Sequence, residues 1–244
     1  MVINMKKILS LILVLVTLFS AVWVPNSALA EAELDDYDKL RVKWQNLAMG
    51  GDYDESDPHI QVLLTSINDV AADLLARINK NPTPNWGSND YLWPEYMLGS
   101  RSDPYSDSNK TQFSLRNVKN MAMAYQTKGC GLYQDELLKT EILRALNYMY
   151  VNHFKPGVDN NAYGNWFTWE IGGPIYLCEA TLYMYDYLTA QQIQDYAATA
   201  RKGTKETVDT GANALWRNRV RMLTAILRKN NDDLVRVKTP CRTI

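Results

Sequence analysis

Asn165-Trp166-Phe167-Thr168-Trp169-Glu170-Ile171-Gly172-Gly173-Pro174 sets three aromatic rings, an amide and a carboxylate just ahead of a helix start. The stretch is too polar for a core and too aromatic for an ordinary connection. Rings with polar neighbours suit a sugar, because the C–H faces of a pyranose stack on Trp and Phe while its hydroxyls and acids take hydrogen bonds from Asn. The same rings would serve equally as a plug that closes helix ends. On either reading Pro174 opens a helix that runs to Leu188, with Gly173 as its cap.

Helical periodicity continues on both sides of this stretch. Leu40, Trp44 and Leu47 keep helical spacing between Leu34 and Gly51. Asp57-Pro58 is an N-cap followed by proline at the first helical position, and Ile60, Leu63, Leu64, Ile67, Val70, Ala71, Leu74, Leu75 and Ile78 line one face until Asn81-Pro82. A polar, proline-containing loop then spans residues 81–111, with Trp86, Trp93 and Tyr96 available to border a groove. Helices follow around Leu115–Tyr125 and Leu137–His153. Thr189-x-x-Gln192 is a capping box for a helix to Arg201, and a last helix covers Ala214 to Lys229. Absence of sustained strand alternation makes the expected class all-α, built of antiparallel helix pairs.

At the N-terminus, Lys6 and Lys7 precede an apolar run from Ile8 to Val24, and Ala28-Leu29-Ala30 supplies a small-x-small cleavage pattern. Residues 1–30 therefore read as an export signal rather than a stable membrane anchor, which gives a secreted, extracellular protein. Without them the chain holds 24 Lys and Arg against 27 Asp and Glu, a net charge of −3. Such a balance lacks the basic excess of a nucleic-acid binder. Cys130, Cys178 and Cys241 are far apart and odd in number, and with His59 and His153 they form no metal-ligand spacing. Neither a metal nor a cofactor is implied.

Thr210-Gly211-Ala212-Asn213 stands before the last helix, so Asn213 is either its N-cap or an amide aimed at a ligand. Arg217, Arg221 and Arg228 form a stripe opposite Trp216, Val220, Leu223 and Leu227, as a solvated face would. Glu170, behind the aromatics, is placed to cap or orient Asn165.

Together these residues carry a family resemblance. The aromatic stretch, followed about forty residues on by Thr-Gly-Ala-Asn, resembles the N-terminal α-helical domain of polysaccharide lyase family 8, the hyaluronate, chondroitin AC and xanthan lyases. Asp36-Tyr37-Asp38-Lys39-Leu40-Arg41-Val42-Lys43-Trp44 with Gly50-Gly51 looks like the family's opening, and Tyr91-Leu92-Trp93 like its next landmark. The resemblance implies an incomplete (α/α) toroid over residues 31–237, gripping an acidic polysaccharide such as hyaluronan, chondroitin or xanthan and cleaving it by β-elimination. It also implies that Asn213 is the catalytic donor that takes up charge on the uronate carboxylate, and that Asn165, Trp166 and Phe167 bind the polymer.

The departures are specific. Phe167 replaces the family's second Trp, Gly173 stands where Thr or Ile is common, and Ile175 follows the proline in place of Arg. The family's general base and acid, a His and a Tyr beyond the Asn, have no counterpart in residues 214–244, the family's C-terminal β-domains are absent, and 238–244 reads as an irregular tail of a truncated gene. Two functions stay open: a lyase or the N-terminal fragment of one, and a non-catalytic remnant that binds acidic glycans. A glycoside hydrolase would need a second carboxylate facing Glu170, and the sequence offers none. An incomplete toroid is further expected to leave apolar helix faces exposed and to be marginally stable.

Overall fold

The computed structural model describes residues 34–84, 87–98, 102–154, 163–205 and 210–238. Residues 1–30, expected to be an export signal, Trp86, Cys241 and the tail beyond Lys238 lie outside these residues. Among them are eight α-helices and no strand: α1 (Asp36–Met49), α2 (Pro58–Arg77), α3 (Pro104–Gln126), α4 (Glu136–Tyr148), α5 (Gly173–Tyr183), α6 (Ala190–Gly203), α7 (Gly211–Arg228) and α8 (Asn231–Lys238).

Every second helix forms an inner row. Helix α3 packs on α5 and α5 on α7, whereas α4 lies against α3, α6 against α5 and α7, and α8 against α7. This alternation of inner and outer helices is the arc of an (α/α) toroid. Sequence accounts for the centre of the row: α5 is apolar on nearly all sides, and only Tyr176 among its residues is not buried. A helix that is apolar all round must be enclosed by neighbours.

Several helix starts follow their caps. Asp57 accepts the N–H groups of His59 and Ile60 ahead of Pro58, and Thr189 and Gln192 close the capping box reciprocally. Helix α3 begins seven residues before the expected end of the 81–111 loop, because Asp103-Pro104 repeats the cap-and-proline pattern of Asp57-Pro58. The remaining loop enters the core: Leu92 and Trp93 are fully buried, and the Trp93 indole donates to the Leu74 carbonyl oxygen at 3.0 Å. Trp93 is thus unavailable to a groove. Tyr96 is half-buried and accepts from Arg116.

The helix assigned to start at Pro174 starts earlier. Asn165 Oδ1 accepts the Phe167 N–H at 3.1 Å, and the helical turn continues through a π-turn, Thr168–Gly172, into α5. In that turn the Gly173 N–H reaches back to the Thr168 carbonyl. The wider turn lets Pro174, which has no N–H to donate, sit inside a continuous helix. Gly173 is required by contact rather than by capping, since a Cβ there would come 2.5 Å from both the Phe154 ring and the Thr168 carbonyl oxygen.

On α1, Leu40 and Leu47 are exposed, and Arg41 is buried in their place, its guanidinium 4.2 Å from the Tyr185 ring centroid and paired with Asp38. Only Trp44 of the expected apolar line packs on the core. Helix α2 shows the expected uncovered face, with Val62, Leu63 and Val70 exposed. Helix α8, beyond the expected last helix, is joined to α6 by Arg201–Asp233 at 3.1 Å.

Cys130 and Cys178 are free buried thiols. Burial pushes Cys178, Tyr148 and Tyr183 up from their ordinary values, and Tyr196 from near 10 up to about 12. A raised folded-state value means that the unfolded chain releases its proton first. The stabilisation is complete below the unfolded value and is lost as pH rises towards the folded one. The urea midpoint should therefore hold steady through neutral pH and fall steeply between pH 10 and 12, with Tyr196 alone contributing on the order of 2 kcal/mol. A midpoint unchanged across that window would place these hydroxyls in water.

Candidate functional site

Gly164 positions the aromatic stretch. Its φ of +66° makes the turn, and a Cβ would collide with the Pro104 carbonyl, so residue 165 is pressed onto the start of α3. The Asn165 N–H donates to Ser108 Oγ at 2.9 Å, and its Nδ2 donates to Asn109 Oδ1 at 2.9 Å. Asn165 is held by α3, not by Glu170, and its amide retains a second N–H beyond the one given to Asn109.

The three rings divide between the two uses open to them. Trp169 is core, stacked 5.8 Å from Phe154 with its indole donating to the Tyr163 carbonyl oxygen. Phe167 is half-buried on Ile171, Ile175 and Val220. Trp166 is 45% exposed. Phe167 lies edge-on to Trp166 at 6.0 Å and to Trp216 at 5.6 Å, and Trp216 is 42% exposed. A row of three rings results, two of them open to solvent.

Beneath the row lies charge. Arg217 and Arg221, expected on a solvated stripe, are buried, and Trp216, placed on the opposite apolar face, is exposed. Arg217 pairs with Glu170 at 2.6 Å, and its guanidinium stands 5.2 Å from the Trp166 ring centroid. Lys205 pairs with the other Glu170 oxygen at 2.7 Å. Arg221 donates to the Lys205 carbonyl oxygen at 2.8 Å and to Asn218 Oδ1 at 2.9 Å. Periodicity cannot reveal such burial, because the partners are distant in sequence. Glu170 is thus held between two cations, Arg217 and Lys205, behind Trp166.

Asn213 is not the cap of α7. The helix starts at Gly211 with Thr210 before it, which leaves Asn213 in the first turn, half-buried, with no hydrogen bond from its amide to any described residue. Trp216 and Arg217 follow at three and four residues, the spacing that places side chains on one helix face. Asn213, Trp216 and, through Arg217, Trp166 thereby share one side of the inner row.

The histidines are elsewhere. His153 is buried with Nε2 2.7 Å from Asp90, whose Oδ1 also accepts the Tyr148 hydroxyl at 2.6 Å. This cluster ties the 87–98 segment to α4. His59 lies in the first turn of α2. Among the described residues no group of three or more His, Cys, Asp or Glu is placed to hold a metal.

Residues 44–242 match the family model for the N-terminal α-helical domain of polysaccharide lyase family 8. The chain is 31% identical over 209 residues to xanthan lyase of Bacillus sp. (strain GL1), covering 85% of this chain and 21% of that protein. It is 31% identical over 162 residues to hyaluronate lyase HylB of Enterococcus faecalis, covering 66% and 15% respectively. Among solved structures, Paenibacillus xanthan lyase superposes with a TM-score of 0.76 at 32% identity over 84% of this chain and 19% of that one. Chondroitin AC lyase of Streptomyces coelicolor A3, in complex with chondroitin sulphate, does so at 0.72 and 26%, over 85% and 27%. The chain thus spans about a fifth of the length of the xanthan lyases it matches.

Proposed function

The chain belongs to polysaccharide lyase family 8, in its N-terminal α-helical domain, and from that premise we propose that its exposed aromatic row grips a uronate-containing polysaccharide for β-elimination. Trp166 and Phe167 seat the sugar faces, and the remaining Asn165 N–H donates to a hydroxyl. Asn213 faces the uronate carboxylate. In the elimination a base removes the proton on C5, a C4–C5 double bond forms and the C4–O bond breaks, the leaving oxygen taking a proton. Negative charge accumulates on the carboxylate in the transition state, where a neutral donor already in place stabilises it. The observation that carries this reading is the Asn213 amide, unbonded among the described residues and one turn from the Trp216 that completes the aromatic row and the Arg217 beneath it.

Export to meet the polymer outside the cell belongs to the same proposal, supported by the Lys6-Lys7, Ile8–Val24 and Ala28-Leu29-Ala30 pattern. No helix among the described residues is long and apolar enough to cross a membrane.

Binding without turnover is the second reading, favoured by the burial of His153 against Asp90 and Tyr148, out of reach of a polymer. One experiment separates the two. The 244-residue chain is incubated with hyaluronan, chondroitin and xanthan, and the ultraviolet absorbance of the unsaturated uronate product is followed alongside Trp fluorescence. For a lyase the absorbance rises, and Asn213→Ala lowers the rate about 100- to 1,000-fold. Flat absorbance with saturable fluorescence change establishes the binding reading, and no response in either channel rejects both.

A further inference from the structure

The aromatic row does not end at Trp216. Arg219 follows it by three residues on the same outward face of α7, with Cβ atoms about 5–6 Å apart at that spacing. The Arg219 guanidinium stands 5.4 Å from the ring centroid of Trp44 on α1 and pairs with the buried Glu179 carboxylate of α5. Trp44, Glu179, Tyr183 and Arg219 line, with Leu47 and Ala48, an open cavity of about 170 Å³. From Trp166 through Phe167 to Trp216 the ring steps are 6.0 and 5.6 Å, and Arg219, one turn beyond Trp216, stands 5.4 Å from Trp44, so a cation lies between the last two rings.

We propose that Trp216, Arg219 and Trp44 form a second subsite that holds an acidic sugar residue of the same polymer, extending the first subsite at Trp166 and Phe167. The proposal rests on the reading of that first subsite as a polysaccharide site. Trp216 offers an open ring to a pyranose face. Arg219, its side chain 42% exposed, can pair with Glu179 and still present N–H donors to a carboxylate or sulfate outside. Charge favours an anion, since Arg116 and Lys119 of α3 add their fields to that of Arg219 around the single Glu179 carboxylate.

The test is affinity as a function of chain length. The full chain is titrated calorimetrically with an unsulfated uronate disaccharide and with the octasaccharide of the same repeat. Wild type should bind the octasaccharide about tenfold more tightly. Trp216→Ala should erase most of that gain. The double variant Glu179→Gln with Arg219→Gln should do the same and leave disaccharide affinity as in wild type, without leaving a buried carboxylate unpaired. Circular dichroism melts confirm that both variants fold. Equal affinity of wild type for the two lengths, or a length gain untouched by both variants, would overturn the second subsite alone. Loss of disaccharide affinity in the double variant would also overturn it by placing Arg219 in the first subsite. Failure of wild type to bind either length would instead reject the polysaccharide reading beneath it.

Discussion

Arg217→Met is expected to lower folding stability by about 3–5 kcal/mol, because it leaves Glu170 a buried carboxylate that has lost its closest partner. Both side chains of the pair are 7% exposed, so neither charge has water to fall back on. Lys205 remains 2.7 Å from the other oxygen, but its side chain is 66% exposed and cannot replace the guanidinium under the Trp166 ring. Glu170→Gln combined with Arg217→Met should recover most of the loss, as neutralising both members of a buried pair is far less costly than removing one. Denaturant unfolding of the two variants checks this. A single-variant loss below about 1 kcal/mol would mean that the pair behaves as an exposed one.

The second large effect is on binding. Trp166→Ala should weaken binding of an acidic polysaccharide roughly ten- to thirtyfold, the range of a central aromatic contact. The melting temperature should stay near that of wild type, because the ring is 45% exposed and Arg217 keeps its pairing with Glu170. Trp169→Ala should behave in the opposite sense. Trp169 is 3% exposed and stacked on Phe154, so its loss opens a core cavity and appears first as instability. A comparison of melts and titrations separates a ring that meets ligand from a ring that fills the core.

That contrast also shows how far the amino-acid sequence carries. Helix α2 and the capping box of α6 are readable because their signals are local: Asp57 and Thr189 act within four residues of themselves. The start of α3 is not, although Asp103-Pro104 carries the same signal, because its first turns are polar. Ser108, Thr111, Gln112 and Ser114 are all buried, with Ser108 and Gln112 facing the turn that carries Asn165 and Thr168. An inner helix that buries polar side chains against another segment breaks the apolar periodicity by which helices are recognised.

The site divides in the same way. Asn165, Trp166, Phe167 and Asn213 can be picked out from residue types in a short pattern. Arg217, Lys205 and Trp216 cannot, since what matters about them is a contact formed only when α7 and the segment after α6 fold back on the π-turn and the Phe167 before it. A hint was present: Trp216 and Arg217 stand three and four residues after Asn213, on its face of the helix. Glu170 departs from the expected role of orienting Asn165 for the same reason, as its partner Arg217 lies 47 positions away rather than five.

Recognition of the uronate carboxylate is the step on which the functional proposal turns, and carboxyl reduction of the ligand isolates it. Wild-type chain and Asn213→Ala should be titrated by Trp fluorescence with a hyaluronan oligosaccharide and with its carboxyl-reduced, neutral counterpart. Expected is saturable binding of the acid form by wild type, with reduction of the carboxyl and substitution of Asn213 each weakening it and the two together adding little more. Equal binding of acid and reduced forms, or effects that add in full, would contradict an Asn213–carboxylate contact.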